Sequence, residues 1–235
     1  MEEVPGDQAG GPLAIVAARN EVDSIGETIQ AIRGAFPGVR VWVADDASSD
    51  GTGPASLAEG AEVVTRKVPL GKGGNVTTCA SEALAAGDSA DPGSVVLLLD
   101  ADLGRSAGQL TTLVEAVRSG ECDLAVAAFR NRVGGGLGIA LGFARWAIRN
   151  RSGFVAAAPI SGQRAMRTEA LERLLPFDEG WGMEVGMTID AVRSGFRVRE
   201  YELELSHRAT GRTASGFLHR LRQLGGFIGA WWRRR

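Results

Sequence analysis

The sequence predicts an α/β protein, built as a Rossmann-like, doubly wound and mostly parallel sheet flanked by helices. Five short apolar runs rich in valine and leucine have the composition of buried parallel strands. Segments with helical spacing of their apolar residues lie between most of these runs, and each is long enough for a crossover helix. Because such sheets bind ligands beyond the carboxyl ends of their strands, the residues after each strand are expected to carry the chemistry.

The predicted elements alternate along the first half of the chain. The strands are residues 13–18, 40–44, 62–66, 94–99 and 123–128. Apolar residues at helical spacing predict helices around residues 25–32, 76–84 and 110–117. In the second half, helices are predicted at 137–150, 168–175 and 184–194, with a Pro/Gly/Ser segment at 158–162 and an edge strand at 197–205.

We predict a single domain for residues 1–235. It comprises a first half (1–128), a second half of different character (129–212) and a basic, aromatic C-terminal tail (213–235). No apolar stretch of about 18 residues occurs, and the N-terminus lacks the pattern of a signal peptide. The two cysteines, Cys79 and Cys122, form no disulfide or zinc pattern. These features predict a cytoplasmic protein, with peripheral membrane contact as a further expectation.

Composition adds two observations. Glycine accounts for 33 of the 235 residues but shows no collagen-like period, so the excess calls for local explanations. The net charge is −2, yet no acidic residue follows Glu204, whereas seven arginines do. Such a tail suggests an anionic partner, and a solvated basic terminus is the alternative.

The sharpest motif is Asp100-Ala101-Asp102, directly after the apolar run VVLLL. Two carboxylates on alternate residues at a strand end can reach one site, with one near a ribose hydroxyl and the other on a divalent cation. Mg²⁺ and Mn²⁺ prefer such oxygen ligands. A pair of solvated loop aspartates is the structural alternative.

Two further motifs follow predicted strands. The loop from Asp45 to Thr52 (DDASSDGT) is acidic, and Asp46 in it can accept a hydrogen bond from a base; an Asx turn with a helix cap is the alternative. Gly71-Lys72-Gly73-Gly74 suits an approaching phosphate, although the full P-loop spacing is missing. The chain also lacks G-x-G-x-x-G after the first strand, which argues against a dinucleotide oxidoreductase.

Together with Ala18-Arg19-Asn20-Glu21 at the end of the first strand, these motifs resemble the nucleotide-sugar-dependent glycosyltransferases of the GT-A fold, family 2 type. Segments 134–145, 159–163, 180–190 and 207–208 are similar to glucosyl-3-phosphoglycerate synthases and their relatives. The resemblance implies a UDP- or GDP-sugar donor and Mg²⁺ or Mn²⁺ as the cofactor. It makes residues 1–128 the nucleotide-sugar-binding half and residues 129–212 the acceptor half. The implied donor-site residues are Ala17, Asn20, Glu21, Asp46, Lys72, Asp100 and Ala101.

The resemblance also implies that Asp102 and His207 hold the metal. For His207, a structural role at a strand end is the alternative. Glu184 follows a glycine-rich turn and is a candidate catalytic residue together with Asp102: it either binds sugar hydroxyls or serves as a general base. A glutamate favoured by the helix dipole is the alternative. The general-base role depends on the stereochemistry, because family 2 enzymes invert the anomeric configuration and the phosphoglycerate-type relatives retain it.

An anionic acceptor is expected in the second half. The candidate acceptor-binding residues are Gly135, Gly136, Arg208 and Arg212, and a flexible linker at 134–136 is the alternative. The tail combines tryptophan and arginine, which favours a membrane interface and a polyprenyl-phosphate acceptor of the kind that dolichol-phosphate-mannose-type synthases use. Docking of the tail on the domain or on a homodimer partner is the alternative. A nucleic-acid partner is not expected.

Two other functional classes stay open. A sugar-phosphate nucleotidyltransferase shares the architecture, but its glycine-rich, basic loop after the first strand is replaced here by AARNE. A non-catalytic nucleotide-sugar-binding module is the third possibility, and loss of metal-dependent hydrolysis in Asp102→Ala would exclude it.

Overall fold

The computed structural model describes residues 10–88, 94–129, 138–206 and 215–235, except for the side chains of residues 215–222. The strands are β1 (Leu13–Ala18), β2 (Arg40–Asp45), β3 (Glu62–Thr65), β4 (Val95–Asp100), β5 (Leu124–Phe129), β6 (Arg164–Arg167) and β7 (Val198–Leu203). The α-helices are α1 (Ile25–Ala35), α2 (Thr52–Ala58), α3 (Gly71–Ala85), α4 (Thr111–Arg118), α5 (Ile139–Ser152), α6 (Thr168–Leu174), α7 (Met183–Arg193) and α8 (Ser215–Arg233). Two 3₁₀ helices span Gly104–Leu110 and Gly180–Gly182.

The strands form one sheet in the order β3-β2-β1-β4-β6-β5-β7. Strand β6 pairs antiparallel with β4 and β5, while the other pairs are parallel. The chain runs outward from β1 to β3 and then returns to β4 on the other side of β1. This reversal opens a crevice at the carboxyl ends of β1 and β4. The predicted fold class is confirmed.

The central strands β1 and β4 are buried on both faces, which explains why they are apolar at nearly every position. In β1, Ala14 and Val16 belong to the cluster formed with α1 and α4, whereas Leu13 and Ile15 belong to the cluster formed with α3 and α7. Successive residues of a strand point to opposite faces, so a strand between two helical layers needs apolar residues at nearly every position.

Strand β6 lies where the sequence predicts no strand. Its first residue, Arg164, is only 1% exposed. A charged residue next to a Pro/Gly/Ser segment is typical of a surface loop. Arg164 is buried here because it has tertiary partners, which a local sequence pattern does not contain. The seventh strand, β7, occupies the predicted edge position.

The C-terminal helix α8 docks on the protein. It packs against α5, α7 and the 3₁₀ helix Gly180–Gly182. Phe227 and Ala230 of α8 are buried in a third hydrophobic cluster, while Ile228 is 43% exposed. Among the described residues, no helix combines the length and the apolar character needed to cross a bilayer.

Candidate functional site

A cavity of about 400 Å³ lies at the carboxyl ends of β1, β2 and β4, where the chain reverses. Six of the seven residues predicted for the donor site line it, together with the predicted metal ligand Asp102. The predicted residues that line the cavity are Ala17, Glu21, Asp46, Lys72, Asp100, Ala101 and Asp102. Asn75 of α3, Gly180 and Trp181 line the cavity as well. The topology therefore brings four separate motifs to one site.

Lys72 is the centre of the charged part of this site. Its Nζ atom lies 2.5 Å from Asp100 Oδ1 and 3.0 Å from Glu184 Oε1. Burial opposes the charge of the ammonium group, but the two carboxylates outweigh this effect and raise the pKa of Lys72 above its ordinary value. Lys72 is therefore a permanent cation at neutral pH, positioned at the mouth of a cavity lined by aspartates.

Asp100 is held from two sides. Its Oδ2 atom accepts a hydrogen bond of 2.9 Å from Gln163 Nε2, and Gln163 Oε1 in turn accepts one of 3.1 Å from Ser161. The backbone between these residues must come close, because a Cβ atom on Gly162 would lie 2.2 Å from Lys72 Nζ. The segment 161–163 thus supports the contact between Lys72 and Asp100.

Glu184 lies beneath the cavity rather than in its lining. Its side chain is 7% exposed, and the ion pair with Lys72 is its contact with the site. Next to it, Arg164 donates to the carbonyl of Ser161 and to Thr188, which donates to the carbonyl of Glu184. Burial lowers the pKa of Arg164 to about 10, although Glu184 and Glu200 oppose this effect. These contacts favour a role for Glu184 in positioning Lys72; its predicted catalytic role stays a prediction.

Asp46 holds the start of α3. Its two carboxylate oxygens accept hydrogen bonds from the backbone N–H groups of Leu70 and Gly71, at 2.8 and 3.1 Å. Arg19 lies 3.8 Å from the same carboxylate. Asp46 is 5% exposed but still lines the cavity, so its predicted contact with a base is geometrically accessible.

Asn20 is the one predicted donor-site residue that does not line the cavity in the described part of the chain. Its Oδ1 atom accepts a hydrogen bond from the N–H of Ser49, and its own N–H donates to Ser48 Oγ. Asn20 adopts a left-handed φ of 55°, which asparagine tolerates better than most residues. In the structure it joins the end of β1 to the loop after β2.

Asp102 lines a second cavity as well as the first, and Ser206 lines this second cavity too. The hydroxyl of Ser106 fixes Ser206 by accepting from its N–H at 3.1 Å. Among the described residues, no group of three or more His, Cys, Asp or Glu side chains is arranged to hold a metal ion. His207 follows Ser206 directly but lies outside the described residues, as do the predicted acceptor residues Gly135, Gly136, Arg208 and Arg212.

Several residues of the site were not predicted. Asn75, Gln163, Gly162 and Trp181 touch the cavity or its charged groups. Gln163 belongs to a segment that the resemblance included, and Asn75 follows Lys72 by three residues on the same helix. The signal in the sequence for Asn75 is thus its position one helical turn beyond Lys72, on the same face of the helix.

Comparison with known proteins identifies the family of this chain. Residues 13–175 match the family model described as "Glycosyl transferase family 2". The chain is 31% identical over 218 residues to an undecaprenyl-phosphate mannosyltransferase of Micrococcus luteus, covering 86% of each protein. It is 30% identical to a glucosyl-3-phosphoglycerate synthase of Mycolicibacterium paratuberculosis, where the match covers 81% of this chain but only 63% of the relative.

A solved structure of glucosyl-3-phosphoglycerate synthase from Mycobacterium tuberculosis is also similar. It is in complex with Mn²⁺, UDP-glucose and phosphoglyceric acid. The two structures superpose with a TM-score of 0.71 at 26% identity, covering 95% of this chain and 81% of the other. The fold, the cavity at the strand ends and the match over residues 13–175 lead to one conclusion: this chain belongs to glycosyl transferase family 2, and it is a glycosyltransferase.

Proposed function

We propose that this glycosyltransferase moves a sugar from a UDP- or GDP-sugar to a phosphate-bearing acceptor, with Mg²⁺ or Mn²⁺ bound at Asp102. The observation that carries the proposal is the Lys72 ammonium group, which two carboxylates hold at the cavity. A fixed cation beside Asp46 and Asp102 suits a ligand with a hydrogen-bonding base at one end and a diphosphate at the other.

Lys72 binds the diphosphate in this proposal. Its raised pKa keeps it protonated, so it attracts the diphosphate oxygens and stabilises the charge that they gain when the sugar departs. Glu184 and Asp100 orient the ammonium group, and Gln163 orients Asp100. This preorganisation lowers the cost of ordering the site at the moment of reaction.

The residues present fit a divalent metal. Asp102 offers a carboxylate at the cavity, and Ser206, directly before His207, lines the second cavity beside it. Mg²⁺ and Mn²⁺ need few protein ligands when a diphosphate supplies the others, and they reduce the negative charge of the leaving diphosphate. Mn²⁺ in the solved complex of the mycobacterial enzyme supports this assignment.

The acceptor that we propose is a polyprenyl phosphate, and a phosphoglycerate-like molecule is the alternative. A surface of aromatic residues on α5 and α8 favours the lipid: Phe143, Trp146, Trp231 and Trp232, called the aromatic surface below. The similarity to an undecaprenyl-phosphate mannosyltransferase supports the same choice.

We further propose that the enzyme works from the cytoplasm as a peripheral membrane protein. Dimerisation through the same surface is the competing proposal.

Donor binding is the first test. Thermal denaturation of the purified protein with UDP, GDP, CDP or ADP, each with and without Mn²⁺, should show a rise in Tm with UDP or GDP that depends on the metal. Asp102→Ala should remove the metal dependence and abolish hydrolysis of the sugar nucleotide. If no nucleoside diphosphate raises Tm, the donor site is misassigned. Unchanged hydrolysis in Asp102→Ala would instead contradict the metal role.

The acceptor is tested with the donor that the first experiment selects. A radiolabelled sugar nucleotide is incubated with undecaprenyl phosphate in detergent or with 3-phosphoglycerate, and the products are separated into organic and aqueous phases. We expect label in the organic phase. Label that appears only with 3-phosphoglycerate would replace the lipid acceptor by the water-soluble one.

A further inference from the structure

Asn75 in α3 lines the donor cavity and contains a buried polar atom that has no hydrogen-bond partner in the described part of the chain. The residue is 1% exposed and lines the cavity, yet its Oδ1 atom has no hydrogen-bond partner among the described residues. The neighbouring hydroxyls of Thr77 and Thr78 both donate to carbonyls one turn earlier in the helix. The unsatisfied amide oxygen therefore distinguishes Asn75 from the other polar residues of this helix.

A buried acceptor without a partner destabilises a folded protein, because it has lost its hydrogen bonds to water. Asparagine is also a poorer helix former than leucine or alanine. Asn75 thus has two unfavourable features for stability in a helix that is otherwise well packed. A residue of this kind at a cavity is typical of a group that gains its partner from a ligand.

The chemistry of the amide oxygen restricts that partner. Oδ1 accepts hydrogen bonds only, whereas diphosphate oxygens carry no hydrogen at neutral pH, so the partner is an N–H or O–H group. The helix α3 packs on β1 and β2, whose ends contribute Ala17 and Asp46 to the cavity. This is the side of the cavity proposed for the base. The available donors there are the ring N–H of uracil or guanine, the amino group of guanine and the ribose hydroxyls.

We infer that Asn75 accepts a hydrogen bond from the nucleoside of the sugar nucleotide, and that it is a further binding residue of the donor site. The inference rests on the proposed function, since it needs a nucleotide in this cavity. It adds a residue from α3 to a nucleoside site that otherwise consists of the ends of β1 and β2.

The test compares stability and binding in three variants. Asn75→Leu has nearly the same shape without the polar atoms, Asn75→Ala removes the bulk as well, and Thr77→Val is the matched control on the same helix. Thr77 accepts a hydrogen bond from the N–H of Phe177 and does not line the cavity. Binding of UMP and of UDP-glucose, or of GMP and GDP-mannose if the wild type prefers guanine, is measured by calorimetry, and Tm is measured without ligand.

The expected signature is a gain in stability with a loss in binding. Asn75→Leu should raise Tm by about 2 °C or more, since it removes an unsatisfied group and improves the helix. It should also weaken the monophosphate and the sugar nucleotide equally, by about 3- to 10-fold. Asn75→Ala should weaken both ligands to a similar extent, which excludes a steric effect of leucine. Thr77→Val should lower Tm and leave binding unchanged.

Two results would overturn the inference. If Asn75→Leu and Asn75→Ala bind both ligands as tightly as the wild type, the partner of Oδ1 is water. If only the sugar nucleotide binds more weakly, Asn75 contacts the sugar rather than the nucleoside. A wild type that binds no nucleotide would be a failure of the proposed function itself, so the two failures are distinguishable.

Discussion

Gly162 allows the closest contact of the site. A Cβ atom at this position would lie 2.2 Å from Lys72 Nζ and 2.7 Å from Asp100 Oδ2, where no carbon can fit. We therefore predict that Gly162→Ala displaces the lysine and lowers kcat/KM for glycosyl transfer by roughly 100-fold, as a misplacement of about 1 Å can do. Gly142→Ala is the control, because a Cβ atom there meets nothing within 4 Å. Activity retained in Gly162→Ala would show that the lysine contact is dispensable.

The ion pair between Lys72 and Glu184 is suited to a double-mutant cycle. Lys72→Met leaves the carboxylates of Asp100 and Glu184 without their cation, which destabilises the folded protein. Because about a fifth of the lysine side chain is exposed, solvent screening reduces this loss of stability. We expect a loss of about 1–3 kcal/mol in the free energy of unfolding. Glu184→Gln in the same background should recover part of that loss but no activity. Additive effects of the two substitutions would contradict a direct interaction.

The raised pKa of Lys72 also predicts the pH dependence of this contribution. A lysine whose pKa is higher in the folded than in the unfolded state stabilises the protein below its unfolded pKa, and the effect is lost only as the pH rises through the folded value. Both values lie above neutrality. The difference in stability between the wild type and Lys72→Met, measured by urea denaturation, should therefore stay constant from about pH 6 to pH 9, well below the unfolded lysine pKa of about 10.4.

At the scale of elements, the helix α8 explains one of the tail glycines. Gly226 faces the 3₁₀ helix Gly180–Gly182, and a Cβ atom on it would lie 3.1 Å from Trp181 Cβ. A Cβ atom on its neighbour Gly225 would meet nothing within 4 Å. We predict opposite effects in adjacent positions: Gly225→Ala should stabilise the protein by about 0.5–1 kcal/mol through helix propensity. Gly226→Ala should lower both stability and donor affinity, because Trp181 lines the cavity. Equal effects in denaturation would contradict this packing.

Arg234 of α8 forms ion pairs with residues near the cavity wall that contains Trp181. Its guanidinium lies 2.5 Å from Asp178 Oδ2 and 2.5 Å from Asp190 Oδ2. Asp178 in turn approaches α3, since a Cβ atom on Gly73 would lie 1.8 Å from its carbonyl oxygen. We expect Arg234→Met to cost about 1–3 kcal/mol in stability, with Arg233 still paired to Asp178, and to raise KM for the donor more than it lowers kcat. Arg235→Ala, at an exposed neighbour, is the control, and equal kinetics in the two variants would exclude a positioning role.

The sequence predicted the elements that depend on local pattern. The five apolar strands and the helices between them occur within a few residues of their predicted positions, because burial on both faces requires an apolar run. Strand β6 was missed because Arg164 is buried by partners from α7 and from the turn before it. The contact of Arg164 with Thr188 and the pair between Lys72 and Glu184 join residues far apart in the chain, and no local pattern contains them.

At the scale of the whole molecule, α8 has two functional faces. One face contacts the wall of the donor cavity through Gly226 and Arg234, as described above. The other carries Trp231 and Trp232, which continue the aromatic surface from Trp146 of α5. The ring centroid of Trp231 lies 5.3 Å from that of Trp146 and 6.1 Å from that of Trp232. The basic, acid-free tail thus supports the wall of the proposed donor site and also forms one edge of the aromatic surface.

The aromatic surface has the composition of a membrane-binding surface. Trp146 and Trp232 are 47% and 57% exposed, and the guanidinium of Arg151 lies 4.4 Å from the ring of Trp231. Exposed tryptophans beside arginines fit the interface of an anionic bilayer. We expect the wild type to sediment with phosphatidylglycerol vesicles, and the double variant Trp146→Ala, Trp232→Ala to bind them about 10-fold more weakly with unchanged donor affinity.

Leu57→Ala is the matched control, because Leu57 is 59% exposed but lies on α2, next to the opposite edge strand β3. It should bind the vesicles like the wild type. Raising the salt concentration should weaken binding, since the arginines contribute by charge and the tryptophans by burial. If the double variant binds vesicles normally but elutes later than the wild type in size-exclusion chromatography, the surface joins two copies of the chain. In that case the aromatic surface no longer supports a lipid acceptor, and the water-soluble phosphate acceptor becomes the better proposal.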